Sequence, residues 1–274
     1  MPTRFPATVT VLAYNSAASL EACLRSVQGF AEILVLDGGS TDATCDIAKR
    51  FGARVEKQSE TVGPIADFTA VRERSFSLAS HDWVFWLDSD EWIDEVLLAS
   101  IREAVARNDR CVAFRAQRFP LIDGRVMRHG YALPDRVVRL VHRESATWAS
   151  GKKVHEHLRV HPGVSIEELA GGVYTPWATP AAYRKKDAYY LSLQFAKKLD
   201  RRPKLSVTVR SVMKNFGYAA AILALGFYYP LRYWRNHDAL PFVYHRRFAR
   251  YHALLAWQRL RQFFLATRYV PPSP

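Results

Sequence analysis

DWVFWLDSDEW (82–92) joins a run of apolar residues directly to a group of carboxylates. The run has the length and composition of a strand buried on both faces, and Asp88, Asp90 and Glu91 follow where that strand ends. Two acids at positions i and i+2 of a turn can converge on one hard divalent cation, and oxygen ligands suit Mg²⁺ or Mn²⁺. A solvated helix N-terminus, where the helix dipole favours acids, is the alternative explanation of the same residues.

Strand and helix patterns alternate on both sides of this stretch. ATVTVLAY (7–14) and EILVLDGGS (32–40) are predicted strands, and 53–58 is a weaker one. Helical spacing of apolar residues predicts helices over 16–30, 41–52, 67–79 and 94–107. This βαβ rhythm predicts an α/β fold with a mostly parallel sheet flanked by helices. Shorter strand patterns between 111 and 160 predict that the sheet continues as a mixed one.

The predicted strand ends define one edge of that sheet. Ligands bind beyond the carboxyl ends of parallel strands, and Asn15, Asp37 and Asp88 all stand there. In DGGSTD (37–42) the glycines allow a backbone to approach a ligand, and Asp37 can accept a hydrogen bond from a base or a ribose. A purely structural turn explains Gly38 and Gly39 equally well. The G-x-G-x-x-G and P-loop patterns are missing from the sequence, so it does not support a nicotinamide cofactor or P-loop chemistry.

Composition bounds the class of protein. Hydrophobic residues make up 49% of the 274, which is enough for a sizeable core. Three cysteines without metal-ligand spacing argue against a disulfide framework and fit a reducing compartment. The first fifteen residues are too polar and too short for a signal peptide, and they read better as a buried first strand. We therefore expect a cytoplasmic protein.

The net charge of +13 is unevenly distributed. Residues 181–274 contain 18 Lys and Arg against 3 acids, whereas residues 1–180 contain 21 against 23. This change of character predicts two parts: a catalytic domain over 1–180 and a basic, aromatic-rich helical region over 181–274.

The basic region has three helical segments by pattern. Residues 183–202 are basic, and 215–234 are almost uncharged but too short to cross a bilayer, with expected breaks at Gly217, Gly226 and Pro230. In 244–264 arginines interleave with aromatics, which predicts a helix in a membrane interface with arginine on one face and Trp or Phe on the other. Packing on the catalytic domain with a solvated basic face is the alternative. Nucleic-acid binding is less favoured, because the aromatics lie in apolar stripes rather than in a basic groove.

Three ordered segments carry a family resemblance: TVTVLAYNSAASLEACLRSV, ILVLDGGSTDAT and DWVFWLDSDEWI. In this order they resemble the start of glycosyltransferase family 2, which has the GT-A fold. PDRVVRLVHRESATWASGKKVHEHL (134–158) is similar to the lipopolysaccharide-core β-glucosyltransferase branch. The chain departs from that branch before the D-x-D turn, where TVGPIADFTAVRERS replaces a tryptophan-rich glycine segment.

The resemblance implies roles for individual residues. The end of the first strand (Ala13, Tyr14, Asn15), with Asp37 and Gly38, would bind the nucleotide. Asp88 and Ser89 would lie near the ribose and the metal, and Asp90 would be the principal ligand of Mn²⁺ or Mg²⁺. Glu156 would be the general base, and Arg139 would bind phosphate, together with Arg136 and Lys153. The pattern around Glu156 also fits a surface strand residue, and the arginines also fit ordinary surface charges.

These observations predict an inverting, metal-dependent glycosyltransferase. The donor would be a nucleotide sugar, by resemblance a UDP-hexose, and the acceptor a saccharide or glycolipid at the anionic cytoplasmic face of the inner membrane. No nucleic-acid partner is expected. Two alternatives are a sugar-phosphate nucleotidylyltransferase, which needs a glycine-rich basic loop that AYNSAAS does not provide, and a non-catalytic membrane- or RNA-binding module on a GT-A scaffold.

Overall fold

A computed structural model describes residues 4–59, 63, 67–148, 158–184, 187–188, 191 and 204–265. The chain forms two compact units. The first comprises Met1–Leu121 and Asp135–Pro176, and the second comprises Ile122–Pro134 and Trp177–Pro274. The second unit therefore includes 122–134, a segment that the charge pattern assigned to the first part.

The first unit alternates strands and helices along its N-terminal half. Its elements are β1 (Phe5–Ala13), α1 (Leu20–Ser26), β2 (Phe30–Asp37), α2 (Thr44–Arg50), β3 (Arg54–Lys57), α3 (Phe68–Leu78), β4 (Trp83–Asp88), β5 (Trp92–Ile93) and α4 (Glu95–Arg107). Each except the two-residue β5, which no sequence pattern predicted, lies within a few residues of its predicted range, because the apolar spacing that defines it is local. Asp67 and Asp94 begin α3 and α4, and each side chain accepts a backbone N–H of the first turn.

The chain then adds shorter elements. They are β6 (Val112–Ile122), β7 (Arg125–Val126), β8 (Asp135–His142), β9 (Ala146–Trp148), β10 (Leu158–Val160) and β11 (Ser165–Pro176). The strands of the first unit lie in the order β3-β2-β1-β4-β8-β6-β11-β5. Pairing is parallel from β3 to β4 and antiparallel where β8 joins β4 and β6. The predicted mixed sheet flanked by helices is confirmed.

Both faces of this sheet are covered. Helices α1, α2 and α4 bury residues such as Leu24, Ile47 and Ile101 against one face, together with Val9 and Phe85. The other face packs against α3 through Val71 and Phe76 and against β9 through Trp148. Because apolar residues cover both sides, the central strands are nearly continuous hydrophobic runs.

Glu32, near the start of β2, ties three segments together. Its carboxylate accepts hydrogen bonds from Thr8 Oγ1 on β1 at 2.6 Å and from the backbone N–H and hydroxyl of Ser80 at 2.6 and 2.8 Å. Partial burial acts to raise the pKa of Glu32, but these hydrogen bonds and the nearby Arg54 outweigh it and hold the pKa below its ordinary value. The carboxylate therefore fixes the segment that leads into β4.

The second unit contains two long helices, α5 (Leu205–Arg232) and α6 (Phe242–Leu265), packed against each other. The expected breaks at Gly217, Gly226 and Pro230 do not occur, since α5 runs through all three. Gly226 lies where α5 meets α6, and a Cβ there would be 2.8 Å from atoms of both Phe242 and His245. The glycine is therefore a packing requirement and not a break. Pro230 lies near the helix end, where it removes one of the last hydrogen bonds.

Prediction and structure differ at α6 in one respect. The helix over 244–264 is confirmed, but its arginines and aromatics are not on separate faces. Arg250, Trp257, Arg261 and Phe264 are all exposed and recur at intervals of seven, four and three, so they share one side. The segment 183–202 lies largely outside the described residues. None of the described helices is long and apolar enough to cross a membrane.

Candidate functional site

The carboxyl ends of three parallel strands meet at one edge of the sheet. In the register, Ala13 of β1 pairs with Asp37 of β2, and Leu12 of β1 pairs with Asp88 of β4. The three segments named from the sequence, 13–15, 37–38 and 88–90, are therefore brought together by the sheet itself. In doubly wound sheets this is the edge at which ligands bind.

Asn15 and Asp37 hold the first two loops to each other. The Asn15 side-chain oxygen accepts a hydrogen bond from Thr41 N–H at 2.9 Å, and the backbone N–H of Asn15 donates to Ser40 Oγ at 2.8 Å. Asp37 accepts from the N–H groups of Gly39 and Ser40, each at 2.9 Å, and from Ser40 Oγ at 2.5 Å. Most of the acceptor capacity of Asp37 is thus used within its own loop, so its first effect is to shape the edge.

Gly38 has a different role from the one expected. A Cβ at this position would lie 2.6 Å from Gln58 Nε2 and 2.8 Å from the carbonyl oxygen of Gly63. The residue is buried, and its N–H donates to Ala13 O at 2.9 Å. Here glycine allows the loop to pack against its own neighbours. Gly39, with φ of 84°, supplies the left-handed turn.

Hydroxyl groups join the first loop to the acidic turn. Ser16 Oγ lies 2.8 Å from Ser89 Oγ, and the N–H of Tyr14 donates to the same Ser16 oxygen at 3.2 Å. Tyr14 and Ser89 are half-buried, and Asn15 and Asp90 are exposed. The edge therefore presents a polar surface, and hydrogen bonds between the two loops fix the positions of these side chains relative to each other.

Asp88 forms an ion pair that the sequence did not predict. Its Oδ1 contacts Arg72 of α3, a side chain that is only 1% exposed. Burial acts to raise the pKa of Asp88, but the guanidinium groups of Arg72, Arg139 and Arg118 outweigh it and hold the pKa below its ordinary value. Asp88 is therefore ionised at neutral pH. Ser75 and Phe76 follow Arg72 by three and four residues and are buried, so Arg72 lies on the core-facing side of α3. That spacing is the feature of the sequence that could have identified Arg72 as a buried arginine.

Glu91 and Arg139 are both in the interior, which corrects two expectations. Arg139 donates to Glu91 through both terminal nitrogens at 2.9 Å, and each side chain is 1% exposed. Arg139 also donates to Trp86 O at 3.2 Å and stacks over the Trp86 ring at 3.8 Å. A guanidinium so enclosed does not meet a phosphate directly, and Glu91 does not reach the ligand edge. Instead Glu91 accepts from the N–H of Asp88 at 3.2 Å, so the pair supports the acidic turn from below.

Two further arginines of the sheet are partly exposed. Arg118 forms an ion pair with Asp135 at 2.6 Å and lies 3.6 Å from Glu91. Burial acts to lower the pKa of Arg118, but Asp135, Glu91 and Asp88 together raise it. Arg136 lies 3.3 Å from Glu168. Arg118, which the sequence did not single out, is thus a third cation, after Arg72 and Arg139, whose charge acts on Asp88.

Cys23 lies beneath the acidic turn. Its thiol is buried and lies 3.7 Å from the carbonyl oxygen of Asp88. Burial, and then the charges of Glu91, Asp88 and Asp90, raise the pKa of the Cys23 thiol well above its ordinary value. All three cysteines are free thiols, as the sequence predicts.

The acidic turn offers a metal ion a partial set of ligands. Within the described ranges no three His, Cys, Asp or Glu side chains gather around one point. Asp88 is ionised and Asp90 is exposed, so two hard oxygen donors stand at the edge. Mg²⁺ is typically bound by one or two carboxylates together with substrate phosphates and water, and the donor set fits that mode. Glu156 and Lys153 lie outside the described residues.

The sequence is similar to those of known glycosyltransferases. The lipopolysaccharide core biosynthesis glycosyltransferase LpsC of Rhizobium meliloti is 28% identical over 161 residues, which cover 56% of this chain and 57% of that protein. The chain spans about half the length of the curated relatives it matches.

Two solved structures are also similar. TarS 1–349 of S. aureus in complex with UDP is 15% identical, with 94% of this chain and 92% of that chain covered and a TM-score of 0.46. Glucosyl-3-phosphoglycerate synthase of Mycobacterium tuberculosis, in complex with Mn²⁺ and UDP-glucose, is 25% identical, with 43% and 44% covered and a TM-score of 0.35.

A family model describes the segment that contains the site. The model for glycosyl transferase family 2 matches residues 8–157, more than half of the chain, and includes the loops after β1, β2 and β4. The match and the mixed sheet together confirm the predicted GT-A class. The chain belongs to glycosyl transferase family 2.

Proposed function

We propose that this chain transfers a sugar from a UDP-hexose, with inversion, to a lipid-linked saccharide in lipopolysaccharide or cell-envelope polysaccharide synthesis. One observation carries the proposal: Asp88 and Asp90 follow β4 at the same sheet edge as Asn15 and Asp37, in a chain of family 2. The printed name of the Rhizobium relative supports the choice of lipopolysaccharide.

The donor half of the site is the loop edge. Tyr14, Asn15 and Asp37, at the ends of the first two strands, cradle the nucleotide, and Asp88 and Ser89 face the ribose. Gly38, whose N–H donates to Ala13 O, holds the two loops together behind them. A bound Mn²⁺ or Mg²⁺, held by Asp90 and Asp88, would neutralise the diphosphate as it leaves. Arg72 keeps Asp88 ionised for this task, and the role of Arg139 is to position the turn through Glu91 rather than to bind phosphate.

Glu156 is the proposed base of the acceptor half. Its carboxylate takes the proton of the acceptor hydroxyl while that oxygen bonds to the anomeric carbon, and the bond from that carbon to the diphosphate oxygen breaks on the opposite side. UDP leaves with the electron pair. This geometry inverts the configuration at the anomeric carbon.

The basic second unit suggests where the reaction takes place. Residues 204–265 contain ten Lys and Arg and one acid, Asp238. Each basic residue near an anionic lipid surface contributes about 1 kcal/mol to binding. We propose attachment to the cytoplasmic face of the inner membrane, where lipid-linked acceptors are presented.

Two conservative variants test the chemistry. Asp90→Asn should remove the thermal stabilisation by UDP with Mn²⁺ and abolish transfer. Glu156→Gln should keep that stabilisation and lower transfer by about 10²-fold or more, since a general base contributes that much. Glu103→Gln, an exposed acid on α4, is the matched control and should change neither. Near-normal turnover of Glu156→Gln would refute the base, and UDP–Mn²⁺ stabilisation of Asp90→Asn equal to wild type would refute the metal site.

A further inference from the structure

Helix α5 carries a stripe of exposed apolar side chains along its length. Met213 and Leu231 are 68% and 74% exposed, and they are part of a contiguous apolar surface instead of standing singly. They belong to a series that repeats every three or four residues, with exposed Ala220 and Ala224 filling the middle. The large members of the stripe are Leu205, Val209, Met213, Phe216, Phe227 and Leu231.

A different side of α5 packs against α6. Ala219, Ile222 and Gly226 are buried there, and Ala249 of α6 is buried among the same residues. The stripe shares none of these positions. Packing of the two helices thus satisfies one face of α5 and leaves the stripe outside.

The charges of α5 are all basic and lie on one line. Arg210 and Lys214 are four residues apart, and Arg232 follows Lys214 by eighteen residues, which is five whole turns. Helix α5 contains no acidic residue. The helix therefore has a packed side, an exposed apolar side, and a third side that carries its three charges together with exposed Val207 and Tyr228.

These features fit a lipid surface better than a protein partner. The stripe extends over about 39 Å of a single helix, at 1.5 Å per residue, and so suits a flat interface. A second copy of the chain would bring the same cations together without acids to pair them. Anionic headgroups complement the basic line, and an interfacial helix combines an apolar face with Lys and Arg beside it.

The stripe ends at a recess. Phe227, Leu231 and the exposed Trp234 also line an apolar cavity of about 700 Å³, with Met127 and Phe242 on its other walls. An acyl chain at the headgroup boundary can enter such a space. Tryptophan at this end also matches the level at which aromatic side chains are enriched in membranes.

We propose that α5 lies in the plane of an anionic membrane, with the stripe in the boundary between headgroups and acyl chains and with Arg210, Lys214 and Arg232 facing lipid phosphates. The inference deepens the proposed function, on which its biological setting rests, by assigning the contact to α5 instead of to the 244–264 helix predicted from the sequence.

Vesicle flotation of the full chain tests the assignment. The double variant Met213→Glu with Leu231→Glu should bind vesicles of phosphatidylcholine and phosphatidylglycerol at least about tenfold more weakly than wild type, because each substitution replaces an apolar side chain at the interface with a charge. The control is Trp257→Glu with Phe264→Glu on α6, where the original side chains are 62% and 63% exposed. It has the same charge change and should lose less than about threefold.

Stabilisation by UDP with Mn²⁺, measured on the same samples, separates the two proposals. It should be equal in wild type and both variants. Vesicle binding by the α5 variant that equals wild type, equal losses in both variants, or no binding by wild type would each overturn the α5 assignment while donor binding stands. Failure of wild type to respond to UDP, with the vesicle result as expected, would overturn the proposed function alone.

Discussion

Glu91 and Arg139 place two charges in the interior directly under the acidic turn. Removing one partner of such a pair leaves the other buried without its counter-ion, which costs about 3–5 kcal/mol. Arg118, 3.6 Å from Glu91, compensates only part of the charge. The geometry of residues 88–91 depends on this pair, because Glu91 accepts a hydrogen bond from the backbone N–H of Asp88.

Replacement of Arg139 should therefore be costly. We expect Arg139→Met to lower the free energy of unfolding by about 3 kcal/mol or more. The control is Arg107→Met, which breaks an ion pair with Glu167 in which both side chains are about half exposed, and it should cost less than about 1 kcal/mol. Urea unfolding followed by circular dichroism measures both, and equal values would contradict a supporting role for the buried pair.

The acids of the site were predictable at the residue scale, and their partners were not. Asp88 and Asp90 stand out because an apolar strand ends in them. Arg139 and Arg72 are separated from their partners by 48 and 16 residues in the chain, so their pairing depends on tertiary packing. An arginine on a strand covered on both faces, or at the core-facing position of α3, is nevertheless a sign of a buried ion pair.

At the scale of elements, α5 contains two glycines with opposite surroundings. A Cβ at Gly226 would overlap atoms of α6, whereas one at Gly217 would meet nothing within 4 Å. Gly226→Ala should destabilise the second unit by about 1–3 kcal/mol through overpacking. Gly217→Ala should stabilise it by about 0.5–1 kcal/mol, because alanine is the better helix former. Thermal unfolding compares the two, and the same sign for both would contradict the close helix approach.

Glu32 links β1, β2 and the segment before β4, and its effect depends on pH. Because its folded pKa is lowered, its contribution to stability is complete above the unfolded value of about 4.3 and is lost as the pH falls through the folded value. The stability difference between wild type and Glu32→Gln should therefore be largest near neutrality and shrink below about pH 4. Urea unfolding at several pH values measures it; a difference that grows on acidification would reverse the sign of the argument.

Local periodicity explains which elements were predictable. Strand and helix ranges through α4 follow from apolar spacing alone. The course of α5 does not, because a glycine in a helix costs about 1 kcal/mol and its compensation by packing at Phe242 and His245 is invisible in the sequence. For α6 the helical period was predicted correctly, and that period alone places Arg250 and Trp257, seven residues apart, on one side of the helix, so the expectation of separate faces was wrong.

For the whole molecule, the strand–helix alternation predicted the mixed sheet flanked by helices, whereas the charge split predicted a boundary near residue 180. The segment 122–134 follows β6 in the chain but belongs to the second unit, where Met127 packs with Leu240 and Tyr244. No composition change marks that segment. Long-range contacts between short segments depend on a few buried side chains, and a few side chains produce no periodic pattern in the sequence.

The buried thiol beneath the acidic turn has a consequence for the chemical durability of the site. Thiolates, and not thiols, react with peroxide and alkylating agents. Enclosure and the neighbouring carboxylates keep Cys23 protonated, whereas Cys111 is exposed on the surface. We therefore expect Cys111 to be oxidised before Cys23. The carboxylates proposed to bind a cation also keep the sulfur next to them protonated and therefore less reactive.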